Sequence, residues 1–205
     1  VTARFITLEG IEGVGKSTNL EFVRGLIIEA GHEVQVTREP GGTVMAERLR
    51  DIVLHHDDES VPALAELLIM FAGRCLHLEN LIRPVLKSGT WVLCDRFTDA
   101  TYAYQGGGRG QSLDRIETLE AWIQEGLQPD LTLLLDADPE IGLARAGARG
   151  EKDRFEREQL EFFARVRNAY LERAARYSDR MVIIDAGRPL EEVQSSITKH
   201  MQIIL

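Results

Sequence analysis

Cysteine is scarce in this 205-residue chain: Cys75 and Cys94 are its only two, and they are not in CxxC spacing. That excludes a disulfide framework and a cysteine-based zinc site, and two reduced, buried, structural thiols fit a reducing compartment. No apolar run approaches the length needed to cross a bilayer. The opening "VTARFITLEG" lacks the charged-then-apolar pattern of a secretory signal and leads into a strand. Basic residues are in deficit, 24 Lys and Arg against 33 Asp and Glu, for a net charge of −9. General binding to a nucleic-acid backbone, which needs clustered cations, is therefore not expected. A local pocket of arginines can still hold a small anion, because only the nearby potential counts at short range. The expectation is a soluble, cytoplasmic protein with no membrane and no nucleic-acid partner.

What the chain does have is alternation. Nearly continuous apolar runs at 4–9, 33–37, 90–95, 131–136 and 181–185 suit strands buried on both faces. Helical segments lie between them, at about 16–30, 44–54, 62–84, 113–125, 139–146, 156–177 and 189–202. No repeat or linker interrupts the pattern. It predicts one α/β domain over 1–205, a three-layer sandwich with a five-stranded parallel sheet between helices. "QGGGRG" (105–110) and "GARGEKDR" (147–154) break the pattern and read as mobile, anion-touching loops.

"GIEGVGKST" (10–18) satisfies G-x-x-x-x-G-K-[ST] through Gly10, Gly15, Lys16 and Ser17, between a predicted strand and a predicted helix. In that setting Gly10, Ile11, Glu12, Gly13, Val14, Gly15, Lys16, Ser17 and Thr18 form a phosphate loop. Lys16 is placed to reach the β- and γ-phosphates of ATP and Ser17 to ligate Mg²⁺. A second metal ligand is sought among the acids that end strands: Asp95, Asp136 and Asp185. Asp95 is favoured because Arg96 follows it, so that one side chain can hold metal and the next a phosphate. Asp136 reads rather as a helix cap. No N-K-x-D segment is present, which argues against a guanine-nucleotide switch.

Together "FITLEGIEGVGKST", "TREPGGT", "LLIMFAGR", "CDRFTDATYAYQGGGRG" and "ARGEKDRFE" resemble the thymidylate kinase family over nearly the whole chain. The resemblance implies the ATP- and Mg²⁺-dependent phosphorylation of dTMP to dTDP, in dTTP biosynthesis, by a homodimer. It implies catalytic roles for Lys16, Asp95, Arg96 and Arg149, with Ser17 and Asp95 as metal ligands. Arg96 is implied to bind the acceptor phosphate, Phe71 to stack on thymine and Arg74 to donate to its O4. Thr101, Tyr104 and Gln105 are implied to surround base and sugar, and Glu12 to meet the 3′-hydroxyl. Some relatives carry an arginine right after that acid. Here it is Gly13, so the cation is expected from a small lid at about 145–155, from Arg149 first, with Arg145 and Arg154 behind it. Without the resemblance, Phe71 reads as core and Arg74 as solvated.

Another nucleoside monophosphate kinase, a deoxynucleoside kinase, or a non-catalytic ATP binder stays open on the residues alone. His55 and His56 are adjacent and point apart, so they read as surface histidines rather than a metal pair.

Overall fold

The computed structural model describes residues 3–55, 59–147, 154, 155 and 157–205. Five parallel strands, β1 (Phe5–Glu9), β2 (Val34–Arg38), β3 (Trp91–Asp95), β4 (Leu131–Asp136) and β5 (Met181–Asp185), lie in the order β2-β3-β1-β4-β5. The apolar runs of β1, β3 and β4 are buried nearly throughout, as strands covered on both faces must be. β1 connects outward to β2 on one side, whereas its neighbour β3 connects across to β4 on the other. Their carboxyl ends therefore open onto a crevice, where sheets of this type bind ligands. The phosphate loop follows β1 and the Asp95–Arg96 pair ends β3, so both face that crevice.

Helices α1 (Lys16–Glu29), α2 (Val44–His55) and α3 (Ala63–His77) match the expected segments. α3 runs on through π-helical Leu78–Ile82 into α4 (Arg83–Lys87), so one long rod carries the chain to β3. The short α5 (Thr98–Thr101) follows β3, and α6 (Leu113–Gln124), α7 (Pro139–Gly147), α8 (Leu160–Arg176) and α9 (Leu190–Met201) complete the layers. The main core joins Leu8, Val23, Leu93, Leu133, Phe163 and Ile197, that is, the sheet and the helices on it. Among the described residues, no helix is long and apolar enough to cross a membrane.

Three expectations need correction. Most of the glycine run is not a loop: Tyr102–Gly108 is π-helical and largely buried. It packs on α8 so closely that a Cβ on Gly107 would meet the Ala169 Cβ at 2.6 Å. Glycine is there to let backbones approach, and Arg109 pairs with Glu66 and Glu158 instead of waiting for an anion. Next, the helix expected over 156–177 begins at Leu160. Finally, Cys94 is buried as expected but Cys75 is exposed, on the outer side of α3.

Candidate active site

The phosphate loop is held by its own residues. Gly10 has φ 135°, and a Cβ there would lie 2.4 Å from the Leu135 carbonyl oxygen, so only glycine fits. Ile11 and Val14 turn their side chains into the core, leaving only their backbone for a ligand. Gly15 caps α1 at φ 88°, and Ser17 and Thr18 are exposed on its first turn. Lys16 is buried and folds back onto the loop, donating to the carbonyls of Gly10 (3.0 Å) and Ile11 (2.9 Å). Burial, with the Arg96 charge beside it, pulls the Lys16 ammonium down to about 8 against nearby Asp95, Glu12 and Glu9.

Across the crevice Arg96 adopts φ 66°, a left-handed conformation that costs an arginine ~1–2 kcal/mol. Both sides of the turn are pinned: Arg96 N donates to the Leu8 carbonyl (2.9 Å) and Phe97 N to the Glu9 carboxylate (2.7 Å). The turn swings the guanidinium over the phosphate loop. Nη2 donates to Glu12 Oε1 (2.7 Å) and the Tyr104 hydroxyl (2.9 Å), and Nε has no hydrogen-bond partner. Tyr104 donates in turn to the Glu12 carboxylate at 2.8 Å; burial first, and then the charge of Glu12, push its phenol well above the usual range. Glu12, Arg96 and Tyr104 thus meet on the lining of a solvent-open cleft.

The same cleft is lined by Thr101, Gln105, Arg74, Arg50 and Glu39. Arg74 is 3% exposed rather than solvated. Its Nε donates to Glu39 (2.8 Å) and Nη2 to Thr101 Oγ1 (2.9 Å) and the Phe97 carbonyl (3.3 Å), while Nη1 is buried with no partner. A buried donor without a partner is costly, and this one belongs to a side chain that lines the cleft. Gln105 is fixed by donating to Glu66 at 2.9 Å.

Phe71 is placed otherwise than the resemblance implied. It is 1% exposed, in a cluster with Leu67, Tyr102 and Ile116, and carries the Arg74 guanidinium 4.9 Å above its ring. The cleft wall is Met70, one residue earlier and four before Arg74. One residue along a helix is a turn of about 100°, enough to exchange cleft for core.

The strand-end acids separate cleanly. Arg167 grips Asp136 with two bonds of 2.7 and 2.8 Å, and Asp185 accepts from Gly187 N (3.0 Å) and Arg188 (3.1 Å). Asp95 Oδ1 is buried with no partner. A lone carboxylate oxygen and the exposed Ser17 hydroxyl suit Mg²⁺, which takes few protein ligands and completes its shell with phosphate and water. Among the described residues no cluster of three or more acids, histidines or cysteines competes for a metal.

Of the arginines expected from the segment 145–155, Arg149 lies outside the described residues. Arg145 donates to the Ala186 carbonyl at 3.0 Å, beside the turn after β5. Arg154 is committed to Glu66 and to the Val53 carbonyl (2.9 Å), away from the phosphate loop. Its neighbour Phe155 walls the cleft edge-on to Tyr104, 5.6 Å between centroids. Residues missed by sequence reasoning are Glu39, Arg50, Glu66, Met70 and Phe155. The nearest signal for Glu39 was the unexplained "TREPGGT".

Comparison with known proteins identifies the family. The sequence model described as "Thymidylate kinase" matches residues 8–197. A thymidylate kinase of Hahella chejuensis is 56% identical over 195 residues, covering 95% of this chain and 94% of that protein. One from Teredinibacter turnerae is 53% identical over the full length of both. Among solved structures, thymidylate kinase from Ehrlichia chaffeensis superposes with a TM-score of 0.79 at 30% identity, covering 98% of this chain and 99% of that one. With the phosphate loop, the Asp95–Arg96 turn and the Arg74 cleft in place, the chain belongs to the thymidylate kinase family.

Proposed function

We propose that this protein transfers the γ-phosphoryl group of ATP to the phosphate of dTMP, giving dTDP and ADP. One observation carries the base assignment: the unpartnered Nη1 of Arg74 in a cleft that ends at the phosphate loop. A guanidinium there suits the O4 carbonyl of thymine and suits the amino group of cytosine badly, since two donors would face each other. Thr101, Tyr104 and Gln105 wall the space between, and Met70 offers an apolar surface for the ring.

The acceptor phosphate oxygen is anionic near neutral pH, so no protein base is required. It attacks the γ-phosphorus in line as the bond to ADP breaks, and catalysis is placement and charge neutralisation. Arg96, at the mouth of the phosphate loop, holds the acceptor phosphate. Lys16 leaves its loop carbonyls for the donor phosphates. Arg149 supplies the remaining charge from the lid, the part that Gly13 cannot. Ser17 and Asp95 would hold Mg²⁺, which supplies positive charge at the β- and γ-oxygens when bound. Glu12 keeps acceptor capacity for the sugar hydroxyl beside Tyr104. The free thiols of Cys75 and Cys94 support a cytoplasmic location for this work.

We also infer a homodimer through α3 and α6. Leu64, Leu68 and Trp122 are 45%, 49% and 75% exposed and line one groove with Leu67 and Leu119. Light scattering should give twice the chain mass, and Trp122→Glu should give monomer.

A coupled ADP-release assay against dTMP, dUMP, dCMP, dGMP and AMP tests the activity. Turnover with dTMP and dUMP but little with dCMP is expected. Turnover with dCMP or dGMP and none with dTMP overturns the assignment.

A further inference from the structure

Arg74 is the end of a buried chain of side chains that begins on β2. Thr37 Oγ1 lies 2.6 Å from His77 Nε2, and His77 Nδ1 lies 3.0 Å from Glu39 Oε1. The other Glu39 oxygen accepts from Arg74 Nε at 2.8 Å. His77 is 0% exposed and sits three residues after Arg74, one turn along α3. The backbone of Gly42 presses on the pair: a Cβ there would stand 2.4 Å from His77 Nε2 and 2.7 Å from Thr37 Oγ1. Thr37, Glu39 and Gly42 all belong to "TREPGGT", for which catalysis offers no use.

The chemistry fixes one proton. Glu39, paired with Arg74, is an acceptor on both oxygens, so His77 Nδ1 must carry the proton it donates. Nε2 is paired with the Thr37 hydroxyl in either charge state of the ring, accepting from it when neutral and donating to it when protonated. Glu39 alone could swing about its terminal torsion, which is broad and two-fold. His77 takes up the oxygen that Arg74 does not and so stops that rotation. Arg74 is clamped besides between the rings of Phe71 and Phe97, its guanidinium carbon 4.9 and 5.2 Å from their centroids.

We propose that His77 is a positioning residue for base selection: through Glu39 it locks the Arg74 guanidinium so that only Nη1 is left for the base, and thereby sets the preference for a carbonyl over an amino group at position 4. The inference rests on Arg74 reading the base, and the test separates the two. An asparagine amide can place its nitrogen where Nδ1 was, and a glutamine amide where Nε2 was.

The readouts are KM for dTMP and ATP, kcat, and dissociation constants for dTMP and dCMP by calorimetry. His77→Gln should lower the dTMP:dCMP affinity ratio and raise the dTMP KM, each about tenfold, with the ATP KM and kcat within about twofold. His77→Asn should restore most of the ratio. Arg74→Ala in the same assay should lower the ratio by about 100-fold or more. With Arg74→Ala already in place, His77→Gln should change the ratio no further. An unaltered ratio in His77→Gln, with Arg74→Ala effective, overturns the role of His77 alone. An unaltered ratio in Arg74→Ala overturns base reading by Arg74 itself. If His77→Gln does not fold, Thr37→Val, which removes the hydroxyl partner of Nε2, must lower the ratio about threefold, and no change there also overturns the proposal.

Discussion

Glu12 and Arg96 form an ion pair of 2.7 Å between the phosphate loop and the turn after β3, two segments 84 residues apart in sequence. The pair answers why an acid stands in a loop built for phosphate. Its carboxylate faces the acceptor cleft, where it orients the guanidinium and the Tyr104 hydroxyl together. Glu12→Gln keeps the shape and removes the charge. The dTMP KM should rise about tenfold or more, because hydrogen bonds to a charged group are worth about 1.5–3 kcal/mol. The ATP KM should move by less than about twofold. Steady-state kinetics with each substrate varied decides it, and an unchanged dTMP KM would leave Glu12 with no acceptor role.

Asp95 and Asp136 end β3 and β4, the strands on either side of β1, yet of the two only Asp95 has a buried oxygen without a partner. Asp95→Asn should therefore raise the Mg²⁺ concentration for half-maximal rate about 10- to 100-fold, at least what loss of an outer-shell partner costs. Asp136→Asn breaks its bond to Arg167 and should lower unfolding free energy by about 1 kcal/mol with an unaltered Mg²⁺ response. Magnesium titrations and urea melts of the two variants separate the roles. The opposite pattern would make Asp136 the metal ligand.

The strands were legible in the sequence because burial on both faces leaves near-continuous apolar runs, and the phosphate loop because its glycines sit between a strand and a helix. Asp95 could be preferred over Asp136 only through Arg96 next to it; the Arg167 grip that occupies Asp136 comes from 31 residues away. The same distance problem hid the burial of Arg74. Without the resemblance it read as solvated, because Glu39 and Thr101, which bury it, lie 35 and 27 residues off. Met70 and Phe71 are both apolar on an apolar helix, and composition cannot say which meets the cleft.

Gly107 and Gly25 look alike in sequence and should behave oppositely. A methyl on Gly107 would meet Ala169 Cβ at 2.6 Å and the Arg165 carbonyl oxygen at 3.0 Å, and neither can swing aside. Gly107→Ala should destabilise by about 1–3 kcal/mol, the range for overpacking. Gly25, inside α1, has nothing within 4 Å of such a methyl. Gly25→Ala should stabilise by about 0.5–1 kcal/mol through backbone entropy and helix propensity. Urea unfolding at one pH measures both. A stable Gly107→Ala would mean that the π-helical turn yields, and that its approach to α8 is not the reason for the glycine.

Glu9 makes stability depend on pH in an unusual direction. It ends β1, is 0% exposed, and touches the Phe97 amide and the Tyr170 hydroxyl, each at 2.7 Å. Burial, reinforced by the negative charge of Asp99, pushes its carboxyl from 4.5 up to about 8. Between those values the folded protein keeps a proton that the unfolded chain has lost. Unfolding then becomes easier as pH rises through the window, and Glu9 adds no further slope above about 8. Glu9→Gln can still accept from Phe97, its amide nitrogen reverses the Tyr170 bond by donating to the hydroxyl, and it has no proton to lose. Its stability relative to the parent should therefore grow from pH 5 to pH 8, and then level off. Urea melts at half-unit pH steps test this, and parallel curves for parent and variant would show that Glu9 is ionised throughout the window.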